Sequence, residues 1–113
     1  MAKLITITVT PTTAGATLKV ALPQGHSGPD LVRDLEEQLA ELKLSGQLVG
    51  GGLVVVDGPS TVPCAYVYSH HLGHLFGAVA HLDPKLGGFV VAISHNPGFA
   101  VGDLIDAEGN KKG

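Results

Sequence analysis

Leu53-Val54-Val55-Val56 is a continuous apolar run, entered from Gly50-Gly51-Gly52 and left through Asp57-Gly58-Pro59-Ser60. A strand with one wet face alternates, so a run without alternation reads as a strand buried on both faces, in a parallel or central position. It requires a sheet with other elements packed against it, and the flanking sequence predicts them. Leu4, Thr6 and Val9 with β-branched neighbours predict a strand over residues 3–10. Pro11-Thr12-Thr13-Ala14-Gly15 is turn-like, and Leu18, Val20 and Leu22 alternate in a second strand over 16–22, which makes a hairpin. Ser27 offers an N-cap with Asp30 three residues on and Pro29 in the first turn. Leu31, Leu35, Leu39 and Leu42 then recur at helical spacing, which predicts an amphipathic helix over 29–44 that ends at Ser45-Gly46.

After the apolar run, a second helix is expected over 60–72. Pro63 is tolerable there because it falls in the first turn, and Val62, Ala65, Tyr66 and Ser69 share one face. Residues 77–82 and 89–94 read as strands about the turn Asp83-Pro84-Lys85-Leu86-Gly87, and a short element is expected within 101–105. The order β-β-α-β-α-β-β places the chain in the α/β class. It predicts a single small domain over 1–113, one central sheet with helices packed against it, and leaves the strand order open.

Apolar residues make up 44% of the chain and charged residues 15%. That is globular composition, and so little charge on 113 residues favours a homo-oligomer in which a second copy covers apolar surface. A net charge of −3 argues against a DNA- or RNA-coating surface, which needs a basic face, but leaves room for a small nucleotide held by a few local donors. With no Trp, two Tyr and three Phe, a broad base-stacking platform is not expected. The single Cys64 and the absence of a signal peptide point to a reducing cytoplasm. The longest apolar stretch, about 50–56, is far too short for a membrane span.

Five of the six histidines fall between positions 70 and 95: His70, His71, His74, His81 and His95, with Asp83 among them. Imidazoles with a carboxylate suit manganese, iron, nickel or zinc. His71 and His74 are three apart, which puts them on one face at the end of the second helix. For His71, capping or packing competes evenly with a functional role; His74, at the helix exit, is the better functional candidate. Asp83 opens a turn, where it serves either as an Asx-turn acceptor or as a reactive carboxylate. His81 precedes Asp83 by two and shares its strand face if the strand continues that far, though alone it reads as a strand-surface residue; Lys85 is placed to touch a phosphate. In a hairpin with its tip at 83–87, His95 lies at the far end from Asp83, roughly 20–24 Å away over seven residues of strand. His71 and His74 leave the helix at the His95 end. One copy then carries imidazoles at one pole and Asp83 with Lys85 at the other, so a complete site needs two copies meeting head to tail. Ser60 and Thr61 open a helix after a buried strand, either as an ordinary capped start or as an anion site. No P-loop, G-x-S-x-G elbow or H-E-x-x-H helix is present, and Cys64 lies in no thiol-protease signature.

Gly58-Pro59, His71-x-x-His74, Asp83-Pro84-Lys85-Leu86-Gly87, Ser94-His95 and Val101-Gly102-Asp103 together resemble the CRISPR-associated manganese-dependent ring nuclease family of type III systems, a distant relative of the CRISPR-associated Rossmann-fold sensors. The resemblance covers about residues 51–106. It implies a cytoplasmic prokaryotic enzyme that degrades cyclic tetra-adenylate to linear adenylates, or removes adenylates from RNA 3′ ends, with manganese as cofactor. It also implies dimers that clamp the ligand, extending to tetramers or filaments, with no membrane or DNA partner. On this resemblance His74, Asp83 and Lys85 are catalytic, with His71, His74, Asp83 and His95 around the metal. Ser60, Thr61 and Lys85 would hold ligand phosphates. Lys85 stands where the family has arginine, which replaces a two-pronged phosphate grip by a point charge; one extra residue within Gly87-Gly88 also separates it from His95. Two readings from other classes stand beside the enzyme: a non-catalytic sponge for the cyclic nucleotide, and a metal-sensing regulator.

Overall fold

The structure is a computed structural model that describes residues 3–112. It contains β1 (Thr6–Pro11), β2 (Gly15–Ala21), α1 (Gly28–Leu44), β3 (Leu53–Asp57), α2 (Val62–Leu72), β4 (Ala78–Asp83), β5 (Gly88–Ser94) and β6 (Leu104–Ile105). The expected order holds, with β6 as the only strand in the short C-terminal element. One six-stranded sheet runs β1-β2-β3-β4-β5-β6. β2, β3 and β4 are parallel neighbours, while β1 and β5 pair antiparallel outside them and β6 antiparallel with β5.

β2-α1-β3 and β3-α2-β4 are two crossovers that step the same way across the sheet. With the usual right-handed connection, both helices fall on one face. There Leu31, Leu35 and Leu39 of α1 and Cys64, Tyr68 and Leu72 of α2 pack on Leu18, Val20, Val54, Val56 and Val79. On the opposite face Leu53 and Val55 join Ala78, Ala80, Phe89, Val91 and Ile105, with Phe99 and Ala107 of the C-terminal segment packed against them. Leu53, Val54, Val55 and Val56 are each at most 1% exposed, as a strand covered on both sides must be. Burying one such side chain is worth roughly 1.5–3 kcal/mol.

α1 is set by its ends. The Ser27 hydroxyl accepts from the Asp30 amide at 3.2 Å, and Gly46 leaves the helix at φ +81° after the Ser45 cap. The N-terminal segment is tied to it: the Ile5 amide donates to Asp34 Oδ2 at 2.7 Å, and Gln38 Nε2 donates to the Ile5 carbonyl at 2.6 Å.

α2 begins at Val62, two residues later than the expected 60–72, and is capped by Thr61, whose hydroxyl accepts from the Cys64 amide at 3.3 Å. Val62, Ala65 and Tyr66 do share a side, but it is the outward one, with Val62 72% and Tyr66 73% exposed. The buried stripe is Cys64, Tyr68, His71 and Leu72. Both stripes have helical spacing and apolar members, so periodicity alone did not choose between them. No helix among the described residues is long and apolar enough to cross a membrane.

Candidate functional site

β3 and β4 end side by side, and the chain leaves each through a turn. Gly58, Pro59 and Ser60 after β3 face His81, Leu82 and Pro84 at the end of β4 across a cleft of about 440 Å³. Ligands of open parallel sheets sit beyond the carboxyl ends of the strands, which is where this cleft lies. Gly58 is required here: its φ is +151°, and a Cβ would run into the Val20 carbonyl of β2.

The cleft is less rich in free donors than its sequence suggests. The Ser60 hydroxyl donates to the Thr61 carbonyl at 2.8 Å, the Thr61 oxygen is occupied by the Cys64 amide, and Pro63 has no N–H. Asp83 is an Asx-turn acceptor: its Oδ1 takes the Lys85 amide at 3.1 Å and the Leu86 amide at 3.3 Å. Oδ2 is outside that turn. Lys85 is exposed. The turn is also strapped from the C-terminal side, where Lys112 Nζ donates to the Gly87 carbonyl at 2.8 Å.

The histidines lie elsewhere. His95 donates its amide to the Gly77 carbonyl at 2.6 Å, and Ala78 pairs with Ser94 at one end of the β4–β5 ladder while Asp83 pairs with Gly88 at the other. His71 and His74 do not share a face. The helix ends at Leu72, so His74 lies beyond it and is exposed, while His71 is 4% exposed and turned inward. His71 Nε2 donates to Glu36 Oε2 of α1 at 2.7 Å, and its Nδ1 is buried without a partner. His74 instead meets His70, ring centroids 5.6 Å apart and edge to face. No group of three or more His, Cys, Asp or Glu side chains among the described residues is arranged to hold a metal.

His81 does share the strand face of Asp83, but it is more than a surface residue. It is half-buried and lines the cleft, on the helix side of β4 with Asp83. Its Nδ1–H donates to the Leu82 carbonyl at 3.1 Å, and its Nε2 is buried without a partner. Tyr68 of α2 packs edge-on to it at 6.5 Å, its hydroxyl also buried and unpartnered. Burial, with the Cys64 thiol nearby, pushes the Tyr68 phenol far above its usual range.

No curated protein matches the chain. The family model described as CRISPR-associated protein (Cas_csx3) matches residues 31–106, from the first turn of α1 to just past β6. That span holds α1 from Leu31 onward, all of α2, the cleft, the Asp83–Gly87 turn and His70, His71, His74, His81 and His95. About two thirds of the sequence is covered, and the chain belongs to the CRISPR-associated Cas_csx3 family.

Proposed function

We propose that this protein is a ring nuclease, which opens cyclic tetra-adenylate to linear adenylates at a site shared between two copies. The observation that carries the reading is the separation of its parts. The cleft and the Asp83–Lys85 turn lie at the carboxyl ends of β3 and β4, while His74 and His95 lie at the other end of the same strands. Copies stacked head to tail would bring His74 of one against Asp83 of the next.

In this reading the 2′-hydroxyl of an adenosine attacks its adjacent phosphate, leaving a 2′,3′-cyclic phosphate and a free 5′-hydroxyl. Lys85 neutralises charge on a phosphate as a point cation. An imidazole handles the proton, because its affinity for protons lies near neutral pH. A 2′-deoxy linkage is then inert.

Manganese does not fit a single copy. His71 is committed to Glu36, and Asp83 is remote from His74 and His95. A site would need imidazoles of one copy and Asp83 of another, so no step is assigned to the metal.

The sponge remains the second reading, favoured by the Asx turn that already engages Asp83 Oδ1. Incubation with cyclic tetra-adenylate, with and without manganese, separates the readings. Linear product supports the ring nuclease. Retention of intact ligand supports the sponge, and manganese binding without nucleotide binding supports a metal sensor.

A further inference from the structure

The Asp83–Gly87 turn carries a carboxylate and an ammonium two residues apart. Their charges oppose each other, so Lys85 alone gives an anionic ligand little net attraction there. A second ammonium reaches the same turn from the other end of the C-terminal half. The last residues run beside β6: Ile105 bridges to Lys111, and the Lys112 amide donates to the Leu104 carbonyl at 2.8 Å. That backbone bond fixes where the Lys112 side chain starts, and its Nζ ends on the Gly87 carbonyl at 2.8 Å.

Gly88 makes room for it. Gly88 stands directly across from Asp83 in the β4–β5 ladder, so the two positions open on the same face of the sheet, the one that lines the cleft. A Cβ on Gly88 would lie 3.0 Å from Lys112 Cδ and 3.0 Å from Leu104 Cδ1. The lysine stem fills the place of that missing side chain, while the residue as a whole stays exposed. Lys111 is paired with Asp103 at 3.8 Å, but the ion pairs among the described residues include neither Lys85 nor Lys112. One N–H of the Lys112 ammonium goes to Gly87, which leaves two for a ligand. Two ammoniums against one carboxylate make the turn net cationic.

We propose that Lys112 is a ligand-binding residue, which with Lys85 holds one phosphate of the cyclic nucleotide at the Asp83–Gly87 turn, beside the cleft. The inference rests on the ligand of the ring-nuclease reading and deepens it. A single ammonium offers a phosphate one point charge. Two that approach from separate segments hold its oxygens at two points, and the second outweighs the repulsion from Asp83. Lys112 is already fixed at both ends, by its amide on Leu104 and its Nζ on Gly87, so binding has little side-chain freedom left to remove. It lies beyond residues 31–106, outside the family match.

The test is binding of cyclic tetra-adenylate to the full chain over a series of salt concentrations, for the wild type, Lys112→Met and Lys112→Arg. Methionine keeps an apolar stem over Gly88 and removes the ammonium, whereas arginine keeps the charge. Lys112→Met should weaken binding about tenfold and lower the slope of log affinity against log salt by about 0.7–1, the mark of one lost phosphate contact. Lys112→Arg should bind within about twofold of the wild type. A residue that only straps the turn would change affinity without moving that slope. Wild-type affinity in Lys112→Met, a weakening with unchanged slope, or an arginine variant as weak as the methionine one overturns the inference and leaves the ring-nuclease reading standing. A wild type that does not bind cyclic tetra-adenylate overturns both.

Discussion

Gly58 links the fold to the cleft, and replacing it by alanine tests that link. The residue ends the central strand at φ +151°, a region that residues with a Cβ rarely enter. An added methyl meets the Val20 carbonyl and lies 2.7 Å from Val20 Cγ2, on a neighbouring strand that cannot recede without opening the sheet. The backbone conformation costs about 1–3 kcal/mol, and the overpacking a further ~1–3 kcal/mol. Their sum of about 2–6 kcal/mol is a large fraction of the roughly 5–15 kcal/mol that holds a domain together. Gly87→Ala is the control, since Gly87 has φ +66° but nothing within 4 Å of its would-be Cβ. It should lose only about 1–2 kcal/mol. Urea unfolding followed by circular dichroism reads both, and at roughly 1–3 kcal/mol per molar the Gly58 midpoint should fall well below the Gly87 one. Equal midpoints would refute the geometry assigned to the mouth of the cleft.

Two further outcomes follow from buried polar groups. Burial and the nearby Cys64 raise the Tyr68 phenol, so the folded state holds its proton more tightly than the unfolded chain. Its contribution is therefore fully present below pH ~10 and lost as pH rises beyond that. Tyr68→Phe should abolish this alkaline loss and, by removing an unpartnered hydroxyl, be neutral or stabilising by up to about 1–3 kcal/mol near neutral pH; pH-dependent urea midpoints check both signs. The Glu36–His71 contact joins α1 to α2 with His71 buried and Glu36 half exposed, so Glu36→Ala should cost about 1–2 kcal/mol. In a His71→Leu background the same change should cost almost nothing. A double-mutant cycle that finds no coupling removes His71 from the role of tie between the helices.

The architecture was legible where pattern and capping agreed. The unbroken Leu53–Val56 run marked the centre of the sheet, and Ser27, the spaced leucines and Gly46 delimited α1 to within a residue. What stayed hidden was orientation about a helix axis. α2 has no Asp, Glu, Lys or Arg to mark a wet side, so spacing grouped Val62, Ala65, Tyr66 and Ser69 on one face without saying which way that face turns. The same rotation turned His71 toward Glu36, a partner 35 residues away that no local spacing announces. His81 was underrated because a lone histidine on a strand usually faces water. Its position by the cleft depends on Gly58–Ser60, which only the β3–β4 pairing brings alongside. The opposition of Asp83 and His95 was readable, because it follows from strand length and one turn.

The shared site is tested most directly by mixing two inactive variants, His74→Gln and Asp83→Asn, and following cyclic tetra-adenylate. Each alone should be inactive. In a random head-to-tail mixture, one junction in about four joins an intact histidine pole to an intact cleft, so activity should return to about a quarter of wild type. A mixture as silent as its components, from a protein whose wild type cleaves, would contradict a site built from two copies.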